Sequence, residues 1–296
     1  MRFGVIVPQG WQGEFDGWEP ARAWVRTVAV AHQAERLGFE SVWLFDHLHT
    51  TPEPTDEITF EAFTSLTALA ALTNRVRVGH VVLCSSYRNP ALLAKMAGTL
   101  DVISGGRFDL GIGAGWKEDE WVAYGYGFPP IRERLAHLRD SLEILGRMLG
   151  AGPGHATFAG GHAGVTDAIN VPRGLQRPRV PIMVGGNGQN VTWRLAARYA
   201  DELNLDGCSP EELRAWLPII HARCEEIGRD RTTLALSVNI WHEDLEQPGH
   251  ARINRLAAFR ELGVSRAMGL VHRSAEHDDA LEMLAADARA AGLELA

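Results

Sequence analysis

The chain has 296 residues, 46% of them hydrophobic, and a formal net charge of −8 at pH 7. This length allows one large domain or two small ones with a sizeable core, and the negative charge argues against nucleic acid or an anionic membrane as a partner. No apolar run approaches the roughly 18 residues of a membrane helix, and the N-terminal run is too short for a signal peptide. We therefore expect a cytoplasmic protein.

Apolar runs of strand length alternate with helical patterns along the chain. The predicted strands are Phe3–Val7, Ser41–Phe45, Val76–Leu83, Phe108–Ile112, Pro181–Val184, Glu202–Leu205, Leu234–Trp241 and Arg266–Val271. Predicted helices follow each strand, among them Ala21–Leu37, Phe60–Leu72, a helix beginning at Pro90, Arg132–Leu149 and Pro210–Ile227. This alternation predicts a single (β/α)8 TIM barrel over residues 1–296, with a doubly wound sheet in two lobes as the alternative.

A compositional change interrupts the alternation at about residues 150–180, which are rich in Gly, Pro, His and Ala. The strand–helix order resumes at Pro181. We therefore interpret this segment as an insertion between the fourth helix and the fifth strand, and not as a linker between domains.

Asp46 and His47 follow directly on the second predicted strand. A strand buried on both faces does not hold a carboxylate or an imidazole cheaply, so the pair is expected at the end of the strand. In parallel α/β folds that end is where ligands bind. The alternative from these residues alone is a helix-capping Asp followed by a surface His.

In a barrel, the residues that follow the eight strands share one mouth. They include aromatic, imidazole and glycine residues: Trp11, Asp46–His47, Cys84–Ser85, Gly113–Trp116, Gly185–Gly188, Asp206–Cys208, Trp241–His242 and His272. Such a lining is typical of a site for a planar aromatic cofactor whose phosphate binds bare backbone amides.

Two glycine-rich segments are candidates for that phosphate. Gly185-Gly186-Asn187-Gly188 follows a strand and precedes a helix, so free amides and the helix dipole face an anion together. Gly111-Ile112-Gly113-Ala114-Gly115 is not a full GxGxxG motif and carries a weaker signal. The alternative for Gly185–Gly188 is a tight turn that merely needs glycine, and the alternative for Gly111–Gly115 is close backbone packing at the mouth.

A metal site is not expected. His47-Leu48-His49 has the HxH pattern that can bind zinc at a strand end, but the lysines Lys95 and Lys117 are misplaced for a metallohydrolase barrel and for a Schiff-base aldolase. The three cysteines, at positions 84, 208 and 224, lack CxxC spacing and indicate neither a disulfide framework nor a zinc centre.

Several motifs in a fixed order resemble one family. They are Ala34-Glu35-Arg36-Leu37-Gly38-Phe39-Glu40-Ser41-Val42-Trp43 leading into Asp46-His47, Arg88-Asn89-Pro90-Ala91-Leu92-Leu93-Ala94-Lys95, Ser104-Gly105-Gly106-Arg107-Phe108, Leu110-Gly111-Ile112-Gly113-Ala114-Gly115-Trp116 and Pro181-Ile182-Met183-Val184-Gly185-Gly186. Over nearly the whole chain they resemble the bacterial luciferase-like flavin and deazaflavin oxidoreductases, and most of all the branch that uses coenzyme F420.

The resemblance implies roles for individual residues. His47 would face the reactive ring, with Asp46 beside it. Because the ordinary pKa of an imidazole is near neutral, His47 is expected to act as general acid or base, and Asp46 either orients it or accepts a hydrogen bond from the cofactor. A non-proline cis peptide near Val81-Val82 would press against the back of the ring. The other residues implied to contact the cofactor are Cys84, Gly113, Ala114, Gly115, Gly185, Gly186, Asn187 and Gly188. The phosphate would be held by Gly185, Gly186 and the start of the next helix at residues 187–190.

The same resemblance bears on the substrate. The sugar-phosphate dehydrogenases of the branch carry a Glu where this chain has Trp116, with Glu118 further on, which favours another substrate. Trp11, Trp116 and Trp241 are expected to form the substrate side. Arg173, Arg177 and Arg179 either neutralise the oligoglutamate tail of the coenzyme or are simply exposed.

The function predicted first is hydride transfer between F420 and a small organic substrate. The alternative is an FMN-dependent monooxygenase that uses reduced flavin and oxygen, with a separate flavin reductase as partner. A third possibility is a non-catalytic barrel that binds flavin. The resemblance also implies a homodimer, and no nucleic-acid or membrane partner is expected.

Overall fold

The computed structural model describes residues 1–152 and 155–295. Parallel strands form a closed barrel: β1 (Arg2–Ile6), β2 (Ser41–Leu44), β3 (Arg77–His80) with its continuation β4 (Leu83–Cys84), β5 (Phe108–Gly113), β8 (Ile182–Gly185), β9 (Glu202–Asp206), β10 (Ala235–Ile240) and β11 (Arg266–Leu270). The order around the barrel is β3-β2-β1-β11-β10-β9-β8-β5, and β3 pairs with β5 to close it. The predicted (β/α)8 barrel is confirmed, and the two-lobed alternative is wrong.

Helices surround the barrel in the described residues: α1 (Pro20–Leu37), α2 (Ala62–Leu72), α3 (Pro90–Ile103), α4 (Glu118–Ala123), α5 (Ile131–Leu149), α6 (Thr192–Tyr199), α7 (Pro210–Glu225), α8 (His250–Glu261) and α9 (Asp279–Ala290). Their boundaries follow local chemistry. The α1 helix ends at Gly38, whose φ of 89° is left-handed and favours glycine. The Asn89 side chain accepts hydrogen bonds from the first amides of α3, and Pro90 occupies its first position, as predicted.

The insertion forms an antiparallel hairpin, β6 (His155–Ala159) and β7 (Gly164–Ile169). The sequence did not predict these two strands. The hairpin packs against α5, so this segment is part of the barrel's outer layer. Residues 153 and 154 of the predicted insertion lie outside the described residues.

The third predicted strand is interrupted. It was expected to be continuous from Val76 to Leu83, but β3 ends at His80 and β4 begins at Leu83. The peptide bond between Val81 and Val82 is cis, at the position that the resemblance implied. At this interruption Val81 and Val82 face the mouth of the barrel.

Charged residues close the opposite end of the barrel. The buried Arg266 side chain is bonded to Asp109 and Glu40, each at 3.1 Å. The three arginines of the insertion also lie towards this end: Arg179 pairs with Asp201, which precedes β9, Arg177 donates to the Gly174 carbonyl, and Arg173 donates to the Gly150 carbonyl. Their contact with an oligoglutamate tail stays a prediction.

Two further findings concern the described residues. Cys84, Cys208 and Cys224 are free and buried. Among residues 1–152 and 155–295, no helix combines the length and the apolar character needed to cross a membrane.

Candidate active site

A cavity of about 340 Å³ opens at the carboxyl ends of the barrel strands. Most residues that the sequence predicted for the site line it: Trp11, Asp46, His47, Val81, Val82, Cys84, Gly113, Ala114, Gly115, Trp116, Gly185, Gly186, Gly188 and Trp241. The lining also includes polar residues that the sequence did not single out for the site, among them Tyr87, Glu120, Thr192, Asn204 and Asn239. The cavity is therefore the candidate active site.

The imidazole of His47 is fixed from two sides. Its Nδ1 donates a hydrogen bond of 2.8 Å to Oε2 of Glu120. The Trp11 ring stacks on it, with centroids 3.8 Å apart and planes 4° apart. Because a carboxylate only accepts hydrogen bonds, the Nδ1 atom carries the proton and Nε2 is left for the cavity.

Glu120 is fully buried at 0% exposure. Its Oε1 accepts the backbone N–H of Leu48 at 3.0 Å, and the Tyr87 hydroxyl donates to its Oε2 at 3.4 Å. Because Leu48 and Tyr87 both hold this carboxylate in place, it can fix the tautomer and orientation of His47. The short helix α4, which the sequence did not predict, supplies this residue.

Asp46 does not contact His47 through any hydrogen bond in the described part of the chain. Its two oxygens accept hydrogen bonds from Arg88, at 2.8 and 2.9 Å, and Oδ2 also accepts the Cys84 N–H at 2.8 Å. The predicted role of Asp46 in orienting His47 is thus taken by Glu120. Asp46 instead ties β2 to β4 and to the start of α3.

The Arg88 guanidinium is shared between two carboxylates, since it also bonds Glu61 at 2.7 Å. Burial by itself would lower the pKa of Arg88, but the charge of Asp46 outweighs burial and raises this pKa above its ordinary value. Burial by itself would raise the pKa of Glu61. The hydrogen bonds that Glu61 accepts from the start of α2 and from Arg88 outweigh burial and lower this pKa to about 2. Both pKa changes favour the charged forms of Arg88 and Glu61.

The cavity floor is apolar at the cis peptide. A Cβ atom on Gly185 would lie 2.8 Å from the Val82 side chain, and one on Gly113 would lie 2.9 Å from it. Glycine is required at both positions because Val82 fills the space between them. Cys84 adjoins this floor, and burial raises the pKa of its thiol to about 12, so the thiol is neutral.

The glycine loop after β8 differs in detail from the prediction. The Gly186 N–H donates to the Asn204 carbonyl at 3.0 Å, and the Asn187 side chain braces the backbone of Asp206. The helix begins at Thr192, later than the predicted start at residues 187–190. Within the described residues, the amides of residues 187–191 donate no hydrogen bond, so they are the ones available to an anion.

Three tryptophans predicted for the substrate side have different surroundings. Trp11 is buried against His47, while Trp241 stacks on Phe45 with centroids 5.7 Å apart. Trp116 is 63% exposed, and its ring meets His47 edge-on at 5.8 Å. All three line the cavity, and Trp116 covers its rim.

A metal centre finds no support in the described residues, where no group of three His, Cys, Asp or Glu side chains is placed to hold an ion. His49 Nδ1 lies 3.0 Å from the Thr50 carbonyl and its Nε2 lies 3.8 Å from Asp119. The two histidines of the HxH pattern therefore have separate partners.

Comparison with known proteins places this geometry in a family. The chain is 33% identical over 230 residues to an F420-dependent glucose-6-phosphate dehydrogenase of Kineococcus radiotolerans; the match covers 76% of this chain and 65% of the relative. It is 28% identical to the pyrimidine monooxygenase RutA of Escherichia coli, over 78% of this chain and 64% of that protein. The chain thus spans about two thirds of the length of these relatives.

A solved structure has the same fold. An F420-dependent secondary alcohol dehydrogenase, in complex with an F420–acetone adduct, superposes with a TM-score of 0.82 over 98% of both chains at 18% identity. The family model described as luciferase-like monooxygenase matches residues 1–291. The chain belongs to the luciferase-like monooxygenase family.

Proposed function

We propose that the protein is a coenzyme F420-dependent oxidoreductase that transfers a hydride between the deazaflavin and a small organic substrate. The observation that carries the proposal is the imidazole of His47, held by Glu120 and Trp11 above the apolar floor at Val81 and Val82. The similarity to relatives named as F420-dependent supports the choice of cofactor.

The residues present fit such a cofactor. Val81 and Val82 offer an apolar surface for a planar ring, and the amides of residues 187–191 can hold its phosphate. A Cβ atom on Gly186 would meet only Thr192 Cγ2, at 3.5 Å, so the space beside this residue is open for a ligand.

The chemistry divides between the cofactor and the protein. When bound, the deazaflavin supplies the carbon that gives or takes the hydride. His47 Nε2 takes the proton from the substrate oxygen during oxidation, or returns it during reduction. Glu120 keeps the opposite nitrogen protonated, so that Nε2 is always the atom that exchanges the proton.

An FMN-dependent monooxygenase is the second candidate, because the chain is also similar to a pyrimidine monooxygenase. In that case a separate flavin reductase would be a partner. A homodimer also stays a prediction.

Titration of the purified protein with F420 and with FMN, followed by quenching of its nine tryptophans, tests the proposal. Micromolar affinity for F420 with weaker binding of FMN is expected. Tighter binding of FMN would favour the monooxygenase, and binding of neither would favour a non-catalytic barrel that binds no ligand.

A further inference from the structure

The cavity wall opposite Val82 is formed by the ends of β9 and β10. Here Asn239 Nδ2 donates a 2.9 Å hydrogen bond to Oδ1 of Asp206. Trp241 lies beside them, close enough that a Cβ atom on Gly207 would meet its indole at 2.7 Å. The proposed chemistry of His47 gives these polar groups no task.

Asn239 holds an acceptor without a partner. The residue is 3% exposed, and its Oδ1 has no hydrogen bond in the described residues. The amide orientation is fixed because the opposite one would place two oxygens against each other. A buried acceptor that lines a cavity and has no donor from the protein is available to a donor group of a ligand.

Asp206 is also without a neutralising cation among the described ion pairs. Among the described residues that line the cavity, the lysine Lys117 is already paired with Asp119, at 2.7 Å. The nearby Arg88 and Arg134 do not line the cavity and bond Asp46 and the Gly115 carbonyl. Asp206 has an exposed surface and lines the cavity. The protein atoms around its carboxyl group still remove part of its water, and this desolvation raises its pKa. An anionic ligand here would meet a carboxylate and no free cation.

We propose that Asp206 and Asn239 form a substrate subsite that selects uncharged hydroxyl compounds and excludes anionic ones such as phosphate esters. A hydroxyl of the substrate other than the one that is oxidised donates to Asn239 Oδ1 or to the Asp206 carboxylate. This inference rests on the proposed function. In the oxidation of such a compound, the carbinol C–H bond breaks and its hydride passes to the deazaflavin. The O–H proton goes to His47 Nε2, and a carbonyl compound is left.

Matched substrate pairs test this selection. F420 binding is measured first, because its absence would overturn the proposed function and not only the subsite. With F420 bound at pH 8, the probes are glucose against glucose 6-phosphate and glycerol against glycerol 3-phosphate. We expect kcat/KM to be at least about 10-fold higher for the uncharged member, from the repulsion between a phosphate and one uncompensated carboxylate.

Asp206→Asn should reduce this preference at least about 5-fold by removing the charge. Glu243→Gln is the matched control, since Glu243 lies in the next loop with a side chain 71% exposed and does not line the cavity; it should leave the preference unchanged. Asn239→Ala should lower kcat/KM for the uncharged members alone, and thermal unfolding shows whether each variant is folded.

Preference for the phosphate esters, or no turnover of either uncharged compound by protein that binds F420, would overturn the inference. An equal change of preference in Asp206→Asn and Glu243→Gln would overturn it as well. The preference would then depend on the net charge of the protein and not on the carboxylate of Asp206 in the cavity wall.

Discussion

Glu120→Gln tests the central interaction of the site. The amide oxygen of the new side chain can still accept the Leu48 N–H, which Glu120 accepts at 3.0 Å, so the fold should be retained. The amide NH2 then faces His47 Nδ1, where a carboxylate oxygen lay at 2.8 Å. Because two donors cannot share this bond, the imidazole should move its proton to Nε2, and it loses the negative charge beside it.

The expected magnitude follows from the bond that is lost. A hydrogen bond to a charged group contributes about 1.5–3 kcal/mol. Since each 1.36 kcal/mol changes a rate about tenfold, we expect kcat to fall by roughly 10- to 100-fold. The KM and the affinity for F420 should change little, because Glu120 lies behind His47 and lines the cavity only with a buried carboxylate.

Three measurements check this reasoning. Single-turnover reduction or oxidation of F420 gives the rate, tryptophan quenching gives the cofactor affinity, and ¹⁵N NMR of the imidazoles gives the tautomer of His47. Glu118→Gln is the matched control, since Glu118 lies on the same helix but is exposed, and it should behave as the wild type.

A normal rate in folded Glu120→Gln would refute the reasoning, as would an unchanged Nδ1–H tautomer of His47. A loss of F420 affinity equal to the loss of rate would assign Glu120 to the shape of the cavity and not to His47.

Three other variants test separate parts of the structure. His47→Ala should leave F420 bound and lower turnover at least about 100-fold; normal turnover would remove His47 from the chemistry. His80 is buried, and burial lowers its pKa to about 4, so the unfolded chain takes up a proton that the folded chain refuses as the pH falls below about 6.5. Urea unfolding at pH 7.5 and pH 5 should therefore show a stability loss that is about 2 kcal/mol smaller in His80→Leu than in the wild type, and equal losses would contradict this. Gly185→Ala should destabilise the protein by about 1–3 kcal/mol through overpacking, and Val82→Ala should relieve much of that loss in the double variant; simple additivity of the two changes would show that they do not touch.

The barrel could be predicted because each strand–helix unit carries a local signal. Apolar strands, Gly38 after α1 and Asn89-Pro90 before α3 act over a few residues, and the structure confirms them. The hairpin of the insertion was missed for the same reason. Most residues of its two strands are exposed or partly exposed, and the segment is rich in glycine and alanine. These strands therefore lack the apolar run that identified the barrel strands.

Glu120 could not be selected from the sequence. It stands in Lys117-Glu118-Asp119-Glu120, a charged run that is typical of an exposed helix face, and it lies 73 residues from His47. Glu118 is chemically identical and exposed, while Glu120 is buried. The two residues differ only in the side of the short helix α4 on which they lie. Glu120 lies on the buried side together with Trp121, which is 1% exposed.

The separation of Asp46 from His47 has a simple geometric reason. Successive side chains of an extended chain point to opposite sides, so neighbours at the end of β2 face different partners. Asp46 faces Arg88 and the Cys84 amide, whereas His47 faces Glu120. The adjacency that drew attention to the pair therefore argues against a direct interaction between them. Asp46 positions the segment that follows Val82 and so acts on the floor of the cavity, and the proton chemistry belongs to His47 with a carboxylate from the short helix α4.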